Sequence, residues 1–222
     1  MQDIIIEFEK QNKKLIIKQN LDFGYAGSVW DASRVLVYFI KKQIDLYKDN
    51  NEKNIFNPKD KIILELGAAT GINSFTCGIL GAKKIYLTDK GGCCELLKKN
   101  YEINKNNFEK NFEFIVQELD WTCEKEREMI KDKNNLDYII GSDLVWNPKL
   151  REPLANTIKY FMKLNKNIKC FLSFEIRDNE VNKFLSLFNK KEYIIEKIKD
   201  ELFDEVYKSD EIIIIVITNN NN

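Results

Sequence analysis

Residues that could bind a nucleotide-like ligand occur where an apolar run meets a turn containing two glycines. The run IILEL (62–66) is typical of a buried strand, and GAATG (67–71) is typical of a turn that opens a helix. Gly67 permits a tight bend with close backbone approach to a ligand, and Gly71 permits close helix–strand packing. Asp89 ends the next strand, near the roughly 20-residue spacing expected for a carboxylate on ribose hydroxyls. Glu65 lies two residues before Gly67 and points to the same side of its strand.

The elements that must position these residues alternate between strand and helix patterns. Strands are predicted at 62–66, 84–89, 112–119, 136–143 and 169–175, with helices at 72–80, 92–104, from near 149, and at 179–189. Five such units predict a mostly parallel sheet with helices on both faces. Two last strands, 192–198 and 211–217, lack a helix between them and therefore predict an antiparallel hairpin at the sheet's edge. A dinucleotide-binding Rossmann domain keeps alternating, so this ending favours the Rossmann-like class I methyltransferase fold with seven strands.

The domain organisation is simple. Residues 1–218 are expected to form one domain, since 222 residues suit a single α/β unit. Within it, 1–20 predicts a small N-terminal β-hairpin and 28–46 a helix before the core, with Ser28 able to cap that helix. Residues 219–222 are four asparagines, a low-complexity tail expected to be disordered.

Composition narrows the classes of partner. Lys+Arg and Asp+Glu both number 35, so the net charge of zero argues against a nucleic-acid binder or a membrane-surface binder. The longest apolar run, at 212–217, is far shorter than the roughly 20 residues that span a bilayer. The chain has five cysteines and no histidine, which excludes Cys/His zinc sites and leaves no metal site expected. We expect a monomer in the cytoplasm, or else in the nucleus.

The motifs of the chain carry a family resemblance. In order they are VWDAS (29–33), ELGAATG (65–71), LTD (87–89), QELDW (117–121), SDLVW (142–146) and EIR (175–177). From about Phe23 to Ile217 the chain resembles the seven-β-strand, S-adenosylmethionine-dependent methyltransferases of methyltransferase family 16, a group of small protein-lysine methyltransferases. It is most similar to the methyltransferase-like 21 branch of that family.

The resemblance implies a role for each motif residue, with S-adenosyl-L-methionine as the cofactor. It implies cofactor contacts from Trp30, from the turn, from Asp89 on the ribose, from Trp121 near the adenine and from Ser142. Asp143 and Trp146 would form the catalytic and substrate-binding motif, and Arg177 would bind substrate. The full set expected at the cofactor is Trp30, Glu65, Gly67, Ala68, Ala69, Gly71, Asp89, Trp121 and Ser142.

Two residues depart from the family pattern. Ala69 stands where the family has a glycine, and its methyl group could crowd the cofactor. Trp146 stands where the family has a tyrosine. An indole N–H only donates, so an acceptor for the lysine amine is lost, whereas a large π-face suited to a cation or a methylated amine remains.

The function expected from the resemblance is S-adenosylmethionine-dependent methylation of lysine on a folded cytosolic protein such as a heat-shock chaperone. The N-terminal hairpin and the acidic segment 201–211 are candidate docking surfaces for that protein. Two alternatives stay open. Ala69 and Trp146 would suit a catalytically silent cofactor-binding module, and a small-molecule methyltransferase would more commonly carry a lid, of which the sequence shows no sign.

Overall fold

The computed structural model describes residues 2–46, 54–177 and 179–220. The chain begins with an antiparallel hairpin of β1 (Ile4–Phe8) and β2 (Lys13–Ile17). The remaining strands form one sheet, and in chain order they are β3 (Ile62–Leu66), β4 (Lys84–Asp89), β5 (Glu113–Glu118), β6 (Tyr138–Ser142), β7 (Lys169–Glu175), β8 (Tyr193–Lys197) and β9 (Ile212–Asn219).

The order of strands in the sheet is β5-β4-β3-β6-β7-β9-β8. The first five of these pair in parallel, and β9 pairs antiparallel with both β7 and β8. This arrangement confirms the predicted mixed seven-stranded sheet with its antiparallel ending and separate N-terminal hairpin. The order reverses direction at β3, between β4 and β6, and ligands of such sheets bind outside the carboxyl ends of the strands at that switch point.

Helices cover both faces because successive strand residues point to opposite sides of the sheet. The helices are α1 (Asp31–Leu46), α2 (Ile72–Ile79), α3 (Cys94–Asn104), α4 (Glu124–Glu128), α5 (Arg151–Leu164) and α6 (Glu180–Leu185). Ile63 packs in one buried cluster with α1, α2 and the hairpin, whereas its neighbour Leu64 packs in the other with α5 and α6. No helix in the described ranges is both long and apolar enough to cross a membrane.

Two asparagines of α3 attach the hairpin to the body of the protein. Asn104 accepts from the backbone N–H of Ile16 (2.9 Å) and donates to its carbonyl (2.7 Å). Asn100 does the same at Lys18 and also donates to the carbonyl of Thr70, at 2.9 Å. Because each side-chain amide presents a donor beside an acceptor, it can bond a strand edge as a neighbouring strand would. Asn100 thereby connects the hairpin to the glycine turn.

The structure corrects the boundaries of several predicted elements. The helix expected over 28–46 begins at Asp31, because Ser28 has extended backbone and the N–H of Val29 donates to Gln19 instead. The segment after β5 contains the short helix α4, and α6 is shorter than the predicted 179–189. The tail expected to be disordered from Asn219 is ordered there, since Asn219 ends β9 and donates to two backbone carbonyls near the end of α5. Residues 221–222 of that tail lie outside the described ranges.

Candidate functional site

A cavity of about 430 Å³ opens at the carboxyl ends of β3, β4 and β6. Its size falls in the range of small-molecule sites, roughly 300–1,000 Å³. We divide its wall into two parts. The inner end comprises Gly67, Ala69, Asp89, Leu119 and Trp121, and the mouth comprises Tyr25, Trp30, Asp143, Trp146 and Arg177. Ser142 also lines the cavity. Three other predicted cofactor-binding residues, Glu65, Ala68 and Gly71, lie outside this wall.

The turn at the inner end has left-handed backbone at Gly67 (φ +59°), Ala69 (φ +52°) and Gly71 (φ +83°). A Cβ on Gly67 would stand 2.7 Å from a methyl carbon of Leu144 and 3.4 Å from the ring of Trp121. The missing side chain therefore keeps open the floor of the cavity beside the indole. Ala69 adopts the same region with a side chain, which is strained for an L-residue.

Asp89 fixes the turn from the neighbouring strand. One carboxylate oxygen accepts from the backbone N–H of Ala69 at 2.8 Å, and the other accepts from the N–H of Lys90 at 2.7 Å. Burial raises the pKa of Asp89, and these hydrogen bonds oppose the rise. A half-buried thiol next to it, Cys93, has a pKa raised to about 12 by burial and by Asp89, so it stays protonated and is not a nucleophile at neutral pH.

Glu65 lies behind the turn rather than on the cavity wall. Its carboxylate accepts from the side-chain amide of Asn73 (3.1 Å), from the backbone N–H of Ser74 (3.1 Å) and from the Ser74 hydroxyl. Complete burial raises the pKa of Glu65 to about 7 against these donors. Glu65 thus holds the start of α2 against β3, and Asn73 also donates to the hydroxyl of Ser142 (3.2 Å) at the end of β6.

Asp143 and Arg177, both assigned to the substrate by the sequence, pair with each other at the mouth. A guanidinium nitrogen of Arg177 lies 2.9 Å from a carboxylate oxygen of Asp143 and also pairs with Glu175. The Asp143 backbone is left-handed (φ +54°), and its N–H donates to the carbonyl of Ser173 at 2.8 Å. Strained backbone held in place by its surroundings is common at functional sites.

Three aromatic rings form the rest of the mouth. The ring of Tyr25 lies 5.9 Å from that of Trp30 and 5.2 Å from that of Trp146, with interplanar angles of 44° and 49°. The indole N–H of Trp30 donates to the carbonyl of Tyr25 at 2.9 Å, which ties the two residues together. All three side chains are exposed, Trp30 least at 38%. Large apolar groups left in water around a cavity indicate a place where something else binds.

Comparison with known proteins decides the family. A profile described as "Lysine methyltransferase", Methyltransf_16, matches residues 9–191. The chain belongs to this lysine methyltransferase family. A mouse relative, the protein-lysine methyltransferase METTL21E, is 32% identical over 172 residues, which confirms the resemblance to the methyltransferase-like 21 branch. That match covers 76% of this chain and 65% of the mouse protein, slightly less than two thirds of the relative's length.

Solved structures show the fold of this lysine methyltransferase family member. The ribosomal protein L11 methylase of Lactobacillus delbrueckii subsp. bulgaricus superposes with a TM-score of 0.54 at 14% identity, covering 82% of this chain and 78% of its own. The structure of SMU.776 complexed with SAH superposes with a TM-score of 0.59 at 13% identity, covering 98% and 56%. Together with the strand order, these likenesses confirm the class I methyltransferase fold.

The family is S-adenosylmethionine-dependent, and the inner end of the cavity fits that cofactor. Gly67 leaves open a cradle that a Cβ would fill. Asp89 presents a carboxylate suited to ribose hydroxyls, and Leu119 with Trp121 presents an apolar wall suited to an adenine ring. No group of three or more Cys, Asp or Glu side chains in the described ranges is placed to hold a metal ion.

Sequence reasoning missed several residues of this family member's cavity. Tyr25 belongs to a 3-10 segment, Leu21–Gly27, whose kink at Gly24 has no periodic signal. Lys90, which also lines the cavity, follows Asp89 directly and pairs with Asp120 at 2.9 Å. The apolar lining residues missed were Ala26, Leu119, Leu144 and Leu150. The aromatic residues and glycines around Tyr25 were the signal that could have pointed to a binding segment. Nothing in the linear sequence pattern placed Tyr25 beside Trp146.

Proposed function

We propose that this chain is an S-adenosylmethionine-dependent protein-lysine N-methyltransferase. One observation carries the proposal. A single cavity joins an inner end that fits the cofactor to an open mouth with Asp143 and three aromatic rings. A methyltransferase needs both parts within one enclosure, because the methyl donor and the acceptor nitrogen must meet in line.

The inner end would hold the cofactor through a rigid frame. Gly67 admits the ligand to the floor of the turn, Asp89 binds the ribose hydroxyls, and Trp121 contacts the adenine. Ser142, whose hydroxyl accepts from the amide of Asn73, would contact the cofactor. When bound, the cofactor supplies an activated methyl group on a positively charged sulfur. The chain's own contribution there is orientation and exclusion of water.

The mouth would receive the lysine as a neutral amine. Free lysine has a pKa of about 10.4, and the positive charge of a bound methyl donor beside the amine would lower that pKa by disfavouring the ammonium. Asp143 alone would oppose this effect, but Arg177 pairs with it and offsets its charge. We therefore assign Asp143 to positioning of the amine rather than to base catalysis.

The acceptor we propose is a folded cytosolic protein such as a heat-shock chaperone. The exposed aromatic mouth supports a large substrate, because a small molecule would usually be enclosed more completely. The acidic segment 201–211 ends beside Arg177 of the mouth, since the N–H of the preceding residue, Ile176, donates to the carbonyl of Glu211 at 2.6 Å. That segment could attract a basic surface around the target lysine. We propose that the protein acts there as a monomer in the cytoplasm or nucleus.

Transfer of a radiolabelled methyl group from S-adenosylmethionine to the proteins of a cytosolic lysate tests the proposal. We expect one or a few labelled bands on a gel, with label recovered as methyl-lysine after hydrolysis. Asp143→Ala should reduce the labelling about 10-fold or more, because a hydrogen bond to a charged group is worth roughly 1.5–3 kcal/mol. Asp45→Ala is the matched control, since Asp45 is a half-exposed residue paired with Lys10 at the far end of α1.

Each alternative gives a different result in the same experiment. A silent cofactor-binding module would bind S-adenosylhomocysteine and label nothing. A small-molecule methyltransferase would place the label in the low-molecular-mass filtrate and leave the protein bands unlabelled. Equal labelling of the same bands by wild type and Asp143→Ala would contradict the role that we assign to Asp143.

A further inference from the structure

We propose that Tyr25, Trp30 and Trp146 form a binding site for N-methylated ammonium groups, with mono- and dimethyl-lysine as the ligands. The inference rests on the proposed function, because its consequence is that the acceptor lysine stays at the mouth after its first methyl group. It concerns the three rings and not the cofactor end, so it can be tested without any methyl transfer.

The arrangement of the rings supports this ligand. Tyr25 contacts both indoles, and each contact is a corner of 44–49° rather than a flat stack. The two corners share Tyr25, and all three residues line the same cavity. Aromatic faces attract cations within about 6 Å of the ring centroid, and walls of this kind recognise quaternary ammonium and methyl-lysine.

A cation already lies at this distance from one of the rings. The guanidinium carbon of Arg177 is 6.0 Å from the ring centroid of Trp30. The Arg177 side chain is 42% exposed and pairs with Glu175 as well as Asp143, so it has an alternative partner if an incoming ammonium takes its place. The ring face of Trp30 is therefore accessible to a positive group in this fold.

The number of hydrogen-bond acceptors at the mouth favours binding of methylated over unmethylated lysine. A primary ammonium has three N–H donors, each of which needs an acceptor once water is removed. The Asp143 carboxylate is shared between Arg177 and the incoming ammonium, and the indole of Trp146 can only donate, so these two residues do not satisfy all three N–H groups. Each added methyl group removes one N–H and adds apolar surface, so the fit to an aromatic wall improves as methylation proceeds.

The consequence is that product of one round remains as substrate for the next. Each further transfer forms one N–C bond at the lysine nitrogen, breaks the S–C bond of the methyl donor and releases one proton from that nitrogen. The series ends when the nitrogen has no hydrogen left to lose. A mouth that holds dimethyl-lysine more tightly than lysine would shift the product toward the trimethylated state.

Binding of choline, measured by tryptophan fluorescence, tests the site directly. The chain has three tryptophans, Trp30, Trp121 and Trp146, and all three line this cavity, so the intrinsic fluorescence reports on it. Choline carries a trimethylammonium group, and 3,3-dimethylbutan-1-ol has the same shape without the charge. At constant ionic strength we expect saturable quenching by choline and at least 5-fold weaker binding of the neutral alcohol, as a cation–π contribution of 1–2 kcal/mol implies.

Variants show which rings are responsible. Tyr25→Leu and Trp146→Leu should each weaken choline binding about 5-fold, whereas Tyr25→Phe keeps the ring and should keep the affinity. Tyr207→Leu is the matched control, because Tyr207 belongs to a stacked pair with Tyr38 outside this cavity. Tyr25 and Trp146 are exposed, so these substitutions leave the core intact.

Equal binding of choline and the neutral alcohol, absence of saturable quenching, or unchanged affinity in both leucine variants would overturn the proposal. These failures are distinct from failure of the enzymatic proposal. Methyl transfer to lysate proteins without choline binding would refute the aromatic site alone. Choline binding without methyl transfer would support the site and refute the enzyme.

Discussion

The inner end of the cavity and its mouth lie at the ends of the same parallel strands but differ in how firmly they are held. Asp89 at the inner end accepts a hydrogen bond from the turn, and the buried Glu65 behind the turn accepts hydrogen bonds from the start of α2. At the mouth, Tyr25, Trp30 and Trp146 are exposed and contact one another through ring edges and faces.

This difference fits the proposal that the inner end binds the cofactor and the mouth binds the acceptor lysine. A cofactor always presents the same groups, so a site whose backbone is already fixed by buried hydrogen bonds binds it with higher affinity. A lysine on the surface of a protein would enter together with its neighbouring residues. Exposed ring faces at the mouth would allow such a lysine to bind in more than one orientation. The inner end is thus fixed by more buried hydrogen bonds than the mouth, and under the proposed function the mouth would set the specificity for the acceptor. Changes at the two ends should accordingly have different consequences.

The largest expected effect concerns Glu65 and pH. Its pKa in the folded protein is raised from 4.5 to about 7, so its contribution to stability is fully present below pH 4.5 and is lost as pH rises through about 7. A shift of this size corresponds to roughly 3 kcal/mol. Urea unfolding at pH 5 and pH 8 should show this loss in wild type and much less of it in Glu65→Gln.

The chain suits that measurement because it has no histidine to titrate in the same range. Asp89 has a pKa raised by burial and contributes with the same sign, so some dependence should remain in the variant. Glu102→Gln, at an exposed residue of α3, is the control and should behave as wild type. Identical pH dependence in wild type and Glu65→Gln would show that Glu65 is ionised without penalty.

Gly67→Ala should have the next largest effect, about 2 kcal/mol of lost stability. Left-handed backbone costs an L-residue roughly 1–2 kcal/mol, and the new methyl group must displace Leu144. Affinity for S-adenosylhomocysteine should fall about 10-fold, because Leu144 and Trp121 line the cavity. Calorimetry and thermal unfolding measure the two quantities. Gly92→Ala, where the added carbon meets no atom within 4 Å, should change neither, and equal effects at both glycines would contradict this account.

The smallest expected effect is a gain. Ala69→Gly should stabilise the protein by about 0.5–1 kcal/mol, since relief of left-handed strain exceeds the entropy that a glycine costs. Ala68→Gly is the matched control, and it should destabilise, because Ala68 has no left-handed strain to relieve and its methyl group is buried. Destabilisation by Ala69→Gly would mean that packing of the Ala69 methyl outweighs its backbone strain.

How far the sequence predicts the molecule also differs between the two ends. The sheet and most of the inner end follow from alternation and spacing, because strand ends meet at one edge of a parallel sheet. Alternation also places Glu65 on the same face of its strand as Ile63. It does not predict that α2 covers that face, or that the backbone N–H of Ser74 donates a hydrogen bond to the Glu65 carboxylate. How deeply a strand side chain is buried depends on the helix that packs against it, and the strand pattern alone does not give that packing.

The mouth was predictable only in part. Motifs pointed to Asp143, Trp146 and Arg177 for the substrate, but they assigned Trp30 to the cofactor, whereas its ring lies beside Tyr25 at the mouth. The pairing of Asp143 with Arg177 joins the ends of two strands and has no linear signal. Tyr25 lies in a short 3-10 segment outside any periodic element. Its position depends on the hydrogen bond from Trp30 and on ring contacts formed only in the folded chain.

The measurement that tests the division of the cavity most directly is the affinity for S-adenosylhomocysteine of wild type, Asp89→Ala and Trp146→Leu, by calorimetry. We expect Asp89→Ala to weaken binding about 10- to 100-fold, as loss of hydrogen bonds to a charged group implies, and Trp146→Leu to stay within about 3-fold of wild type, because its ring lies at the mouth. Asp89→Asn, which keeps an acceptor for the N–H of Ala69, separates lost ligand contacts from a disturbed turn. Equal losses in Asp89→Ala and Trp146→Leu, or a larger loss in Trp146→Leu, would contradict the assignment of cofactor to the inner end and acceptor to the mouth.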